Sequence, residues 1–141
     1  DTQPQNISGG AGNDIITITA DATKVITGGA GTNTLVLNAN ATTFTAANTV
    51  AKVTGFTTLG TAGASQGTYD LSVLTGFNAI DVRASEAAAL IFDKAAAGTT
   101  LQLGAATTAV TYKLAGTSGA TGTVAVNLKG TTVTAANGGG T

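Results

Sequence analysis

Cysteine, histidine, methionine and tryptophan are all missing from this 141-residue chain, and proline occurs once. Without cysteine there is no disulfide, no thiolate nucleophile and no Cys-ligated metal. A secreted chain of this kind must gain stability another way, and a hard cation held by oxygen ligands is one route. Charge is also scarce, at 9% of residues with a net charge of -1. The six lysines and arginines are scattered singly and make no basic stripe, which argues against nucleic acid as a partner. No apolar run approaches the roughly 18 residues of a spanning helix, the longest candidate being "AAALIF" at 87–92. Two tyrosines and four phenylalanines cannot furnish the two aromatic girdles of a membrane barrel. The opening "DTQPQNIS" is polar and is no signal peptide. With no methionine and an abrupt start, the chain is expected to be a segment of a longer protein.

What is abundant is threonine, about a fifth of the chain, and alanine, nearly another fifth. Hydrophobic residues make up 43% and mean hydropathy is +0.29, so there is apolar surface enough to bury. Threonine is β-branched and suits a pleated, half-exposed surface. Seven stretches alternate apolar and polar residues at period two between Gly, Asn, Ser or Thr boundaries. They are "DIITITA" (14–20), "NTLVLNA" (33–39), "TYDLSVL" (68–74), "NAIDVRA" (78–84), "TTLQLG" (99–104), "AVTYKLA" (109–115) and "TVAVNLK" (123–129). One segment dissents. "SEAAALIFDKAAAG", Ser85 to Gly98, has an N-cap residue, strong helix formers and a closing glycine, so a short helix near 85–97 competes with a strand at Ala89 to Phe92.

Repeats near twenty residues add to this. "TGFTTL" (54–59) recurs as "TGFNAI" (75–80), and the glycine group Gly9 to Gly12 recurs as Gly28 to Gly31, nineteen residues on. Such periods are what stacked coils produce. The expected fold is all-β: a parallel β-solenoid with β-roll-like coils. Residues 1–40 read as one coil unit. Residues 41–141 read as a Thr/Ala-rich solenoid or sandwich-like region packed against it, with "NATTFTAANT" (40–49) as the boundary and "NGGGT" as a flexible end.

The glycine turns bear the chemistry. Gly9-Gly10-Ala11-Gly12-Asn13-Asp14-Ile15-Ile16-Thr17 matches the G-G-x-G-x-D-x-U-x nonapeptide of calcium-binding β-rolls at every defined position. Glycines let the turn's carbonyls point inward at a hard cation, Asp14 supplies an anionic oxygen, and Ile16 enters the core. Gly28-Gly29-Ala30-Gly31-Thr32-Asn33 would stack on it, with Asn33 in place of the expected Asp. The candidate ligands are therefore Gly9, Ala11, Asp14, Gly28, Ala30 and Asn33. One calcium site is expected, not a row of them. The intervening "ADATKVI" lacks glycine, so no metal is expected on the opposite edge, and Asp21 reads as a solvated loop residue. The rival reading of both groups is an ordinary tight turn.

"SGGAGNDII" resembles the RTX (hemolysin-type) repeats of proteins exported by type I secretion. The rest, with "YDLSVLTGFNAIDV", "AAAGTTLQL" and "TVAVNLKG" on a Thr/Ala/Gly background, resembles bacterial surface-layer proteins carrying such repeats. That resemblance implies an extracellular, calcium-dependent structural protein at the bacterial surface. Self-association in a lattice is the expected partnership, with a cell-surface polysaccharide as a further partner and neither nucleic acid nor membrane insertion. The alternative is a binding module of a secreted adhesin, or the repeat region of an exported enzyme whose catalytic domain lies elsewhere.

Catalysis within this chain is not expected. Asp70 and Asp81 could meet as a carboxylate pair on adjacent strands, against the alternative that Asp81 pairs with Arg83 two positions on. The lysines read as single solubilising and edge-protecting charges, and the aromatics as core or coil-stack residues. Low calcium inside a cell would leave the glycine turn disordered and millimolar calcium outside would order it, while the Thr-rich remainder folds alone.

Overall fold

Period-two alternation places apolar side chains on one face of a strand, and stacking coils bury that face row by row. The computed structural model describes residues 5–44, 51–85, 88–104, 109–116 and 125–128. Twelve strands lie among them: β1 (Ile7–Ser8), β2 (Ile15–Ile18), β3 (Ile26–Thr27), β4 (Thr34–Leu37), β5 (Val53–Thr54), β6 (Thr58–Thr61), β7 (Gly67–Asp70), β8 (Ala79–Val82), β9 (Leu90–Ala95), β10 (Thr100–Leu103), β11 (Val110–Leu114) and β12 (Val126–Leu128). The even-numbered strands form one six-stranded sheet in the order β12-β10-β8-β6-β4-β2. The odd-numbered strands form two three-stranded sheets, β1-β3-β5 and β11-β9-β7. Every pairing is parallel, and the result is a β-solenoid of about five turns with almost no helix. The boundary expected at 40–49 falls partly on residues outside the described ones, and the closing "NGGGT" lies wholly outside them.

The core is a set of inward rows. Ile16, Leu35, Leu59, Ile80 and Leu101 stand in register on consecutive strands of the long sheet. Leu35, Leu59 and Ile80 are wholly buried. A second row passes through Ile18, Leu37, Thr61, Val82 and Leu103. Burying one such aliphatic side chain contributes roughly 1.5–3 kcal/mol, so the rows hold the stack together. The "TGF" repeat is legible here as register, since Thr58 pairs with Ala79 and Leu59 with Ile80.

Opposite the long sheet, β7, β9 and β11 build an aromatic ladder. Tyr69, Phe92 and Tyr112 share a row. The Tyr69 and Phe92 rings stack with centroids 5.8 Å apart at 27°. Both are buried, and the Tyr69 hydroxyl donates to the Ala39 carbonyl at 2.7 Å. A buried tyrosine needs such an acceptor.

The short helix expected near 85–97 does not form. Residues 90–95 are strand β9, and residues 86–87 lie outside the described ones. The helix formers of this stretch are overruled because Leu90 and Phe92 point into the core with β7 and β11 paired on either side. The extra residue that the helical pattern hid is a bulge. Phe92 pairs with Tyr112 and Ala95 with Leu114, so Asp93 and Lys94 oppose Lys113 alone, with Lys94 left-handed at φ 59°. "TYDLSVL" likewise ends early as a strand: the Asp70 carboxylate and carbonyl accept from Ser72 and Leu74 N–H and fold the chain into a turn.

Candidate metal centre

The two glycine groups lie at one corner of the first two coils, between β1 and β2 and between β3 and β4. Ile7 pairs with Ile26 and Ser8 with Thr27, which sets Gly9 over Gly28. Ala11 bridges Ala30, and Ile15 pairs with Thr34, which sets Asp14 over Asn33. Nineteen residues separate each pair, so the turns repeat position for position. Gly10 and Gly12 have φ of 97° and 121°, and their counterparts Gly29 and Gly31 have 83° and 106°. An L side chain rarely adopts that conformation, which is why the turn needs glycine there. The middle of the stack is closed by backbone bonds: Ala30 N–H donates to the Gly10 carbonyl at 2.9 Å, and Gly12 N–H to the Ala30 carbonyl at 3.1 Å.

Gly9 and Gly28 are glycines for a different reason, close approach. A Cβ at Gly9 would lie 2.6 Å from both Asp14 Oδ2 and the Gly28 carbonyl oxygen. A Cβ at Gly28 would meet the Gly55 carbonyl and stand 2.7 Å from Asn33 Nδ2. The Asp14 carboxylate and the Asn33 carboxamide thus occupy the same position in successive coils, each tucked against the glycine of its own turn and the carbonyl of the next.

Their partners differ. Asn33 is wholly buried and fully engaged: Oδ1 accepts from Asp14 N–H at 2.8 Å, while Nδ2 donates to the Gly55 carbonyl at 2.9 Å and the Gly29 carbonyl at 3.3 Å. Asp14 Oδ2 is buried and has no hydrogen-bond partner among the described residues. A buried carboxylate oxygen facing carbonyl oxygen is costly unless a positive group joins it. The donor set at this corner, one carboxylate oxygen and peptide carbonyls, is the hard-oxygen chemistry that calcium takes. The Gly9, Gly28, Ala11 and Ala30 backbones are all present at the corner, with the Gly9 and Gly28 N–H groups spent on the Thr27 and Thr54 carbonyls. Asn33 offers its oxygen to a backbone N–H and turns its NH2 toward the carbonyls.

Two further asparagines, which sequence reasoning passed over, tie the same coils. Asn13 Oδ1 accepts from Thr32 N–H at 2.8 Å and Asn6 Oδ1 from Val25 N–H at 3.2 Å. Nothing in the sequence singled them out; in the structure each bonds a residue nineteen positions on, the same period as the glycines.

Elsewhere the described residues offer less. No group of three or more acidic side chains gathers among them to hold a metal. Asp21, read as a loop residue, accepts from the neighbouring Ala22 N–H. Asp70 and Asp81 lie on strands of different sheets and are paired separately. Asp81 binds Arg83 at 3.0 Å, and Asp70 binds Lys94 at 2.5 Å. The Lys94 ammonium, then the Ser72 hydroxyl, hold the Asp70 carboxyl down at about 2, and the same contact raises Lys94. A cavity of about 90 Å³ opens beside the turn after β7, lined by Leu71, Leu74, Phe77, Ile80, Ala96 and Thr99, with no charged group in its wall. No family model, curated protein or solved structure matches this chain.

Proposed function

We propose that this chain is a structural β-solenoid of a bacterial surface layer, exported by the type I route and stabilised outside the cell by calcium at its first glycine turn. One observation bears most of the weight: a buried carboxylate oxygen, Asp14 Oδ2, with no donor among the described residues, set beside the Gly28 carbonyl in a turn of the RTX pattern. Calcium would supply the positive charge that this corner lacks. Asp14 Oδ2 and the turn carbonyls are the groups to hold it, and a single carboxylate suits the weak, roughly 0.1–1 mM affinities of extracellular calcium modules.

The rest of the molecule supports a structural role. Its coils are rich in threonine and poor in charge, and β2 and β12 are the outermost strands of the long sheet among the described residues, the positions at which a further coil or another copy would join it. Calorimetric titration with calcium, beside Asp14→Ala and with light scattering on the same samples, tests the reading. Binding that Asp14→Ala abolishes, together with calcium-triggered scattering, is the expected result. Absence of binding in the parent chain rejects the calcium part. Binding without any scattering moves the reading to a monomeric module of an adhesin or exported enzyme.

A further inference from the structure

The two stacked turns look like copies, yet one has an acid where the other has an amide. Resting on the calcium reading above, we infer that the Asn33 carboxamide is a built-in replacement for the cation: its NH2 group holds the second turn closed by hydrogen bonds, and only the Asp14 turn is left dependent on an ion.

The geometry behind this is the nineteen-residue register. Asn33 Nδ2 lies between two carbonyls, that of Gly29 four residues back in its own turn and that of Gly55 in the next coil. The same two steps from Asp14 arrive at Gly10 and Gly28, and the Gly28 carbonyl and Asp14 Oδ2 share the space beside Gly9 just as the Gly55 carbonyl and Asn33 Nδ2 share the space beside Gly28. An NH2 group satisfies two acceptors directly. A carboxylate oxygen in that place puts an acceptor beside the Gly28 carbonyl where the amide puts a donor, and calcium, which takes oxygen ligands, would supply the missing positive charge. The amide's other atom confirms its orientation, because Oδ1 is fixed as the acceptor of Asp14 N–H. Asn33 is also the more deeply buried of the pair, wholly enclosed between the first and third turns, where an ion would have to shed its water. The amide therefore stands at the wholly buried position, and the acid at the partly exposed one.

This makes the metal stoichiometry a property of two residues. The parent chain binds one calcium, Asp14→Asn none, and Asn33→Asp two. Asp14→Asn replaces an unmatched oxygen by a donor aimed at the Gly28 carbonyl, so its unfolding midpoint in EGTA rises above that of the parent in EGTA and no longer responds to calcium. Asn33→Asp falls in EGTA and is restored by calcium.

The experiment is thermal unfolding of the full chain and both variants, each in EGTA and in millimolar calcium, with calorimetric stoichiometry on the same proteins. A parent chain that binds calcium one to one, with Asp14→Asn no more stable in EGTA than the parent, overturns the replacement and leaves the calcium reading standing. A parent chain indifferent to calcium, with Asp14→Asn raised above it, rejects the calcium reading and leaves the amide's role in place. Asn33→Asp that matches the parent in EGTA also overturns the replacement.

Discussion

The first two coils and the coils of β7, β9 and β11 solve the same stacking problem with different chemistry. At the glycine corner successive turns are joined by backbone bonds and by asparagine side chains that each reach nineteen residues along the chain: Asn6 to Val25, Asn13 to Thr32, and Asn33 back to Asp14. The turns themselves hold no large apolar side chain, and Ile15 and Val25 remain exposed, while Ile18, Ile26 and Leu35 of the same coils are wholly buried away from the corner. In the later coils the corresponding face is a pile of Leu90, Tyr69 and Phe92, all buried. Hydrogen bonds exchanged for water yield about 1 kcal/mol each, whereas each buried aromatic contributes several times that through the apolar area it removes from water. On the calcium reading, the effect of the ion should be confined to the glycine corner and spare the aromatic pile.

The largest effect expected is in the aromatic region. Phe92→Ala removes the ring between Tyr69 and Tyr112 and lowers stability by about 3–5 kcal/mol, with or without calcium, as chemical denaturation would show. Gly28→Ala comes next. Its Cβ meets the Gly55 carbonyl and the Asn33 side chain, and overpacking of this kind costs about 1–3 kcal/mol. Amide exchange should quicken over residues 9–33 and stay unchanged over 67–95. If Gly28→Ala proved the costlier of the two, or quickened exchange throughout, the division between the regions would be wrong.

The smallest effect belongs to the Asp70–Lys94 pair on the outer surface of the aromatic coils. Asp70 is held at about 2 against an ordinary 3.8. A depressed carboxyl contributes stability that is present above 3.8 and lost as pH falls toward 2. Lys94, raised above 10.5, keeps its share below that pH and loses it only as the solution becomes more alkaline than its folded value. The unfolding midpoint of Asp70→Asn should therefore lie slightly below the parent's at neutral pH, converge with it as pH drops through that acid window, and differ less in high salt, since the pair is half exposed.

Much of this architecture was legible because both signals that specify it are periodic. Alternation in "DIITITA", "NTLVLNA" and "NAIDVRA" marked β2, β4 and β8, and the "TGF" spacing matched the register of Leu59 on Ile80. Strands β1, β3 and β5 escaped because two residues are too few to show a period. Strand β9 was ambiguous because the alanines on either side of it favour helix locally, and only pairing with β7 and β11 decides the matter. At the corner, the letters gave Gly9, Ala11, Asp14, Gly28, Ala30 and Asn33 as one neighbourhood, and the structure gathers them there. What one letter cannot say is which end of an amide faces inward: Asn33 read as an oxygen donor, and its nitrogen is the atom toward the carbonyls.

The unbroken run of six parallel strands has a consequence for reach. Neighbouring strands stand about 4.8 Å apart, so from β2 to β12 the stack rises only some 24 Å while using more than a hundred residues of chain. Circuits of unequal length, from nineteen residues between Ile15 and Thr34 to twenty-five between Leu101 and Val126, leave that rise unchanged. The molecule is thus a ruler graduated in coils, whose reading is set by how many times the chain goes round and not by how many residues it spends on each circuit.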